Sequence, residues 1–320
     1  MTQGIGLVNK KNLRGKNGRL LKQIVANRYL YLLFLPAAVL LLLFCYFPMY
    51  GVIIAFKDYD YGKGIVFSPW TTMHGFQHFY DLLSNSDFIT AFRNTIIISF
   101  QRLIFEFPVS IILALLINEI RTKHYKRTVQ TVLTIPHFMS WVVVYGIFFS
   151  LLSDQGVLNQ VIASLGFSKV YLLQQTDTIR GLLYITSNWK EMGWGTIIYL
   201  AAITGVDQEL YEAAVVDGAK RRHCVLYITL PAIISVIGVM FILALANIMN
   251  AGFDQIFNMY NAATFSKIDI IDTYVYRRTF VTGCDYPSSA AIGLFKNIIN
   301  LVLLLGGNTV VKKLTGAGIY

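Results

Sequence analysis

Six stretches of this chain are apolar enough and long enough to cross a lipid bilayer, near residues 30–55, 95–118, 129–152, 179–204, 229–253 and 289–311. A helix needs about 20 such residues to cover the hydrocarbon core. The expected fold is therefore all-α: a polytopic integral membrane protein with six transmembrane helices. Composition agrees, since 55% hydrophobic and 14% charged residues and a mean hydropathy of +0.56 leave too little polar surface to enclose a soluble globule. Pro36 and Pro48 interrupt the first stretch, Pro108 the second and Pro136 the third. Kinks are expected there, tolerated where neighbouring helices or side chains satisfy the freed carbonyls.

The net charge of +10 does not point to nucleic acid, because the basic residues gather at the ends of the apolar stretches, where headgroups and topology place them. One set of alternate loops holds sixteen: seven between Lys10 and Arg28, then Arg121, Lys123, Lys126 and Arg127, then Lys220, Arg221 and Arg222, then Lys312 and Lys313. The other set holds eight: Lys57, Lys63, Arg93, Lys169, Arg180, Lys267, Arg277 and Arg278. The positive-inside bias then puts both termini and the Glu212 loop in the cytoplasm, with the chain multi-pass in the membrane. The organisation expected is a basic cytoplasmic tail (1–29), a six-helix membrane domain (30–311) carrying a cytoplasmic loop at 206–228, and a cytoplasmic C-terminal tail (312–320). The first apolar run is longer than a signal-peptide core and lacks a small-residue cleavage site, so no cleavage is expected.

Outside the spans, Phe76, Phe79, Tyr80, Leu83, Phe88 and Phe92 recur at roughly helical spacing, as in an amphipathic helix lying on the outer surface. Cys45, Cys224 and Cys284 fall in an apolar span, the basic loop and an outer loop, so no disulfide framework or zinc spacing is read. His74 and His78 are four apart without a third ligand, and no metal is expected. His137, beside Pro136, reads as a buried hydrogen-bonding residue.

The polar, basic segment EAAVVDGAKRRHCVLYITLP, Glu212 to Pro231, sits between two long apolar spans on the cytoplasmic side. Between Val206 and Tyr227 it reads as two short helical stretches joined at Asp217-Gly218, where glycine permits a turn that a side chain would strain. Ala213 and Ala214 are small enough for another protein's surface to approach, Glu212 can accept its hydrogen bonds, and Leu230-Pro231 restarts the chain as the next membrane helix. A plain solvated loop with a glutamate near a helix start would explain Glu-Ala-Ala alone. The whole spacing, with Glu212, Ala213, Ala214, Asp217, Gly218, Ile228, Leu230 and Pro231 in place, resembles the loop of ABC-importer permeases. The segments RTVQTVLTIPHFMSWVVV (127–144), NWKEMGWGTIIYLAAITGVDQELYEAAVVDGA (188–219), GFDQIFNMYN (252–261) and IDTYVYR (271–277) extend the resemblance to the polysaccharide and oligosaccharide (lipoprotein-polysaccharide-type) branch of the maltose-type superfamily.

That resemblance implies a type I importer permease, binding no cofactor itself. It implies two partner ATPase subunits holding ATP and Mg, a second homologous permease completing a heterodimer, and an extracytoplasmic solute-binding protein delivering an oligosaccharide. The chain has no G-x-x-x-x-G-K-[ST] phosphate loop with which to bind ATP, so energy is expected from the separate ATPase, moving the Glu212 helices and rocking the attached spans between inward-open and outward-open states.

A sugar path needs hydrogen-bonding stripes and aromatic platforms. Asn247, Asn250, Asp254 and Asn258 recur at spacings of three and four on the fifth span. Trp189, Lys190, Trp194 and Tyr199 on the fourth would add aromatic surface and a cation, with Gly193 and Gly195 allowing close helix approach. The same asparagines would serve equally as glue between helices, and the tryptophans as interface markers. Lys190 would suit an acidic sugar such as a uronate oligosaccharide, unless neighbouring Glu191 pairs with it. Arg102 and Glu106, four apart on the second span, read as a mutually neutralising pair rather than a substrate site, and Lys296 as a snorkelling or paired cation. Two other classes fit the sequence less well. A membrane glycosyl or lipid transferase should show clustered catalytic residues, whereas Asp254, Asp269, Asp272 and Asp285 are scattered. An ion-driven secondary transporter should show internal repeats. Within the resembled family, cargo other than sugar stays open.

Overall fold

The computed structural model describes residues 26–316 and 318; most of the 1–29 tail and part of the 312–320 tail lie outside them. The helices run α1 (Arg28–Phe56), α2 (Gln77–Ser84), α3 (Ser86–Asn118), α4 (Lys123–Thr134), α5 (Trp141–Ser164), α6 (Ile179–Thr204), α7 (Gln208–Val216), α8 (Arg221–Ala246), α9 (Phe253–Met259), α10 (Ile271–Tyr276) and α11 (Tyr286–Thr315), with one-turn pieces between them. Among the described residues the sole extended pairing is the single bridge between Lys57 and Trp70. Five of these stretches, α1, α3, α5, α8 and α11, are long and apolar enough to cross a membrane. The fourth apolar stretch forms α6 with the expected bounds; it is the helix whose side chains the others bury.

A proline inside a helix lacks an N–H and crowds the preceding turn, which favours a bend or a widened turn. At Pro36, where the sequence predicts a kink, the α-helix Arg28–Leu41 runs on without a break. Pro48 and Pro231 each follow a π-helical turn, Leu42–Tyr46 and Val225–Thr229. Pro108 follows a break at Glu106 in α3, where the Asn188 side chain donates to the Phe105 carbonyl at 3.2 Å.

At Pro136 the outcome differs from the sequence expectation of one span over 129–152. The chain leaves the helix through a tight turn, Ile135–Phe138, and a new helix starts where the Ser140 hydroxyl accepts from the Val143 N–H at 3.4 Å. Residues 129–134 therefore belong to the separate helix α4, and the apolar stretch is α5. It is itself jointed at Gly156, where a Cβ would lie 2.7 Å from the Leu151 carbonyl.

Two further boundaries move. The second span starts at Ser86 rather than 95, because the Asn85 side chain accepts from the Asp87 and Phe88 N–H groups at 2.9 and 3.1 Å. Phe88 and Phe92 consequently sit in α3, packed with Tyr274 and Phe295, and the amphipathic outer helix is α2 alone. The fifth span runs over 221–246 instead of 229–253, since it stops where the chain turns at Asn247.

Three apolar clusters hold the bundle. Ile98, Leu183, Ile256 and Ile270 join α3, α6 and α9. Ala55, Phe88, Met249, Ile271 and Ile292 join the end of α1 to α3, α10 and α11. Ala114, Ile117, Tyr199, Leu200 and Ile233 join α3, α6 and α8. α3 contributes to all three and α6 to two.

Candidate functional site: a polar cavity and a projecting loop

Between α3, α6 and the end of α8 lies a cavity of about 370 Å³. The third wall exists because α8 stops at Ala246. A single turn at Ile248–Asn250 leads to two left-handed residues, Ala251 (φ 46°) and Gly252 (φ 82°), which turn the chain back into α9. Gly252 is needed twice over: its φ favours glycine, and a Cβ there would meet the Arg102 guanidinium at 2.8–2.9 Å.

Arg102 is fixed from three sides. Its Nη1 donates to Ser187 Oγ at 3.2 Å and lies 3.7 Å from Glu106 Oε1, while its Nη2 donates to Gln255 Oε1. Ser187 Oγ donates in turn to Glu106 Oε2 at 2.9 Å. Gln255 is anchored through Nε2 to the Leu183 carbonyl and Thr186 Oγ1 at 2.8 and 2.7 Å. Charges at membrane depth are costly unless paired or facing an aqueous path; this pair is coupled as its spacing implied, and both members also line the cavity. Ser99, Arg102 and Glu106 are spaced three and four apart, on one face of α3.

The wall from α6 carries Asn188, Glu191, Trp194 and Gly195. Trp194, 46% exposed, stacks on the His137 ring at 4.5 Å with the planes 3° apart. His137 Nδ1 lies 2.6 Å from Glu191 Oε2, and Lys190 Nζ donates to Glu191 Oε1 at 2.9 Å and to the His137 carbonyl at 2.8 Å. The turn after α4 is thus fastened to α6 by charge and by stacking. Gly193 and Gly195 do allow close approach: a Cβ would sit 2.0 Å from the Leu133 carbonyl and 2.5 Å from Ser110 Oγ respectively.

Of the residues read as a substrate path, Trp194, Asn247 and Asn250 meet in this cavity. Tyr199 lines an adjoining space of about 330 Å³ that shares Gly195 and Asn247. The other four are elsewhere. Trp189 packs edge-on against Phe148 at 5.6 Å, Lys190 is buried in its pairing with Glu191, Asp254 is exposed, and Asn258 donates to the Asp254 carbonyl at 2.7 Å. The four-residue stripe is divided because α8 ends just before its first member, so Asn247 and Asn250 stay together while helical spacing no longer aligns Asp254 and Asn258 with them. Lys296 pairs with Asp272 at 2.6 Å, Arg277 with Asp269 at 2.6 Å and Arg278 with Asp285 at 2.7 Å.

The second feature is the loop after α6. Asp207 caps α7 by accepting from the Glu209 N–H at 3.0 Å, and Gly218 (φ 79°) turns the chain toward α8. Glu212, Ala213, Asp217 and Gly218 are exposed and Ala214 half-buried, while Val215 and Val216 project into solvent at 65% and 87% exposure. Ile228 and Leu230 are half-buried and Pro231 exposed at the start of α8. The Tyr211 and Thr229 hydroxyls meet at 2.9 Å, tying α7 to α8, and Arg221 lies 3.6 Å from Glu119 at the end of α3. A small helix with a bare outer face is thereby fastened to α8, whose own start lies beside the end of α3.

A helical bundle suited to lipid, enclosing a cavity walled by guanidinium, carboxylate, amide and indole groups, is the body of a membrane transport subunit rather than an enzyme. Residues 106–313 match the family described as the binding-protein-dependent transport system inner membrane component, and the chain belongs to that family. It is similar to Protein LplB of Bacillus subtilis (strain 168), 43% identical over 307 residues covering 96% of this chain and 95% of the relative. It is 42% identical over 306 residues to the polygalacturonan/rhamnogalacturonan transport system permease protein YteP of the same strain, covering 95% and 94%. Among solved structures it resembles a chain of a bacterial alginate ABC transporter in complex with an alginate pentasaccharide-bound periplasmic protein, with a TM-score of 0.85, 37% identity, and 94% and 100% of the two chains covered.

Proposed function

We propose that this chain is one permease subunit of an ATP-driven importer for oligosaccharides, uronate oligosaccharides among them. It would span the membrane six times, with α6 as the sixth crossing beside the five apolar ones and both termini in the cytoplasm. Sugar handed over by an extracytoplasmic solute-binding protein passes along the cavity at Trp194, Asn247 and Asn250. A second, homologous permease forms the other half of the path. Two separate ATPase subunits, holding ATP and Mg, dock on the loop 206–228 through Glu212, Ala213, Ala214 and Gly218.

The observation that carries this reading is the exposed α7 bolted to α8 by Tyr211 and Thr229. A partner that moves α7 moves a membrane helix whose far end walls the cavity. Cargo is inferred from relatives handling polygalacturonan, rhamnogalacturonan and alginate. The test is purification from native membranes in mild detergent, identification of what accompanies the chain, and sugar-stimulated ATP hydrolysis by the complex. An ATPase and a second permease are expected to come with it. Glu212→Ala and Gly218→Asp are expected to insert normally yet lose ATPase retention or sugar-stimulated hydrolysis. Normal uptake by both variants would sink the coupling role, and a chain that recovers alone and moves solute without ATP would sink the importer reading.

A further inference from the structure

We propose that Ser99, Arg102 and Glu106 form a site that reads neighbouring hydroxyls on one sugar unit of the cargo and turns carboxylates away, with Trp194 available to cover the ring face. This deepens the oligosaccharide reading above and rests on it.

All three side chains lie on one face of α3 and line the same cavity. Each also has a polar atom, Ser99 Oγ, Arg102 Nε and Glu106 Oε1, that is buried with no hydrogen-bond partner among the described residues. A buried polar atom without a partner costs free energy; Ser99 Oγ and Arg102 Nε have none, and Glu106 Oε1 has only the Arg102 charge at 3.7 Å. The other polar atoms of the network are committed: Arg102 Nη2 to Gln255, Glu106 Oε2 to Ser187, and Gln255 Nε2 to Leu183 and Thr186.

The three atoms make a set. Arg102 Nε–H donates, the Glu106 oxygen accepts, and the Ser99 hydroxyl does either. A sugar hydroxyl also does both, so the hydroxyls of one sugar unit match these three atoms in kind. A carboxylate only accepts: it would suit Arg102 but would face the negative charge of Glu106. The Arg102 charge is already opposed by Glu106 at 3.7 Å. On the α6 side Glu191 adds a second carboxylate, while its cationic partner Lys190 stands outside the lining. The wall therefore offers hydrogen bonds without spare positive charge. An acidic chain would be held here by its hydroxyls, its carboxylates directed elsewhere.

The test uses the whole importer in proteoliposomes with its own binding protein. The probes are matched trimers, neutral and uronate, of galactosyl, glucosyl and mannosyl type. Comparing variant with wild type for the same probe cancels what the binding protein contributes, since only the permease changes. Glu106→Gln keeps an acceptor oxygen and removes the charge; it should raise uptake of the uronate relative to its neutral counterpart by about tenfold. An unchanged or lowered ratio in an assembled complex with normal basal ATP hydrolysis overturns the proposal. Should that variant fail to assemble, Ser99→Ala decides. Its loss of uptake, about fivefold, should vanish for a trimer lacking one of the paired hydroxyls, and an equal loss for both trimers overturns the site. If wild type takes up none of the trimers, the oligosaccharide reading itself falls, and this proposal with it.

Discussion

Gly193 brings α6 so near the last helical turn of α4 that a Cβ would lie 2.0 Å from the Leu133 carbonyl and 2.8 Å from the Thr134 nitrogen. Those are backbone atoms, which cannot swing aside as a side chain would, so relief requires the helices to part. Gly193→Ala is expected to lower stability by about 3 kcal/mol or more, read as a fall in the thermal midpoint of the detergent-solubilised protein. Gly146→Ala is the control: it sits in α5 with nothing within 4 Å of the added methyl, and the change should be neutral or stabilising by up to about 1 kcal/mol. Equal effects of the two changes would refute the close contact. The role of Gly193 was legible in the sequence as a small residue in a membrane helix; the identity of the carbonyl it faces was not, because that carbonyl belongs to a helical turn some sixty residues earlier. Arg102 and Glu106 show the same division. Their mutual pairing follows from spacing alone, whereas Ser187 and Gln255, which complete the network, are brought in by tertiary packing that no local pattern encodes.

Helix interiors in this chain could be read from apolar runs, while helix ends were displaced wherever a side chain or a left-handed residue made the decision. Asn85 starts α3 nine residues before the apolar run does, and Ala251 and Gly252 make the chain reverse inside what reads as one span. In the loop at 206–228, α7 and the Gly218 turn fall where the residue pattern places them, whereas the second short helix read there is the first part of α8, which begins at Arg221 instead of restarting at Leu230. What the pattern could not show was the attachment of α7 to α8. Tyr211→Phe removes the 2.9 Å hydrogen bond to Thr229 and should cost about 1 kcal/mol. Hydrogen exchange should speed up over 206–229 and remain unchanged in α11, and sugar-stimulated ATP hydrolysis should fall while basal hydrolysis persists. Exchange unaltered in that segment would mean that α7 is held by packing alone. Gly218→Ala is milder by construction: no atom lies within 4 Å of the added methyl, so only the backbone cost of about 1 kcal/mol at φ 79° applies.

At the scale of the whole molecule, orientation decides whether the loop can meet an ATPase, and the chain carries its own probes of it. On the orientation proposed above, the basic loops with Lys123 and Arg221 would face inside. Cys224, at the foot of α8, would then be on the cytoplasmic side, and Cys284, exposed in the turn before α11, on the outer side. Cys45 lies midway along α1, exposed on a helix of which none of the apolar window is buried; a charged, membrane-impermeant reagent is kept from a thiol at that depth by the apolar core. A membrane-impermeant maleimide applied to intact cells should therefore label Cys284 alone. Cys224 should react only after the membrane is permeabilised, and Cys284→Ser should abolish labelling from outside. The opposite pattern, with Cys224 labelled in intact cells, would place α7 on the outer face, away from ATP, and no mechanism in which that helix receives the force of ATP hydrolysis would survive it.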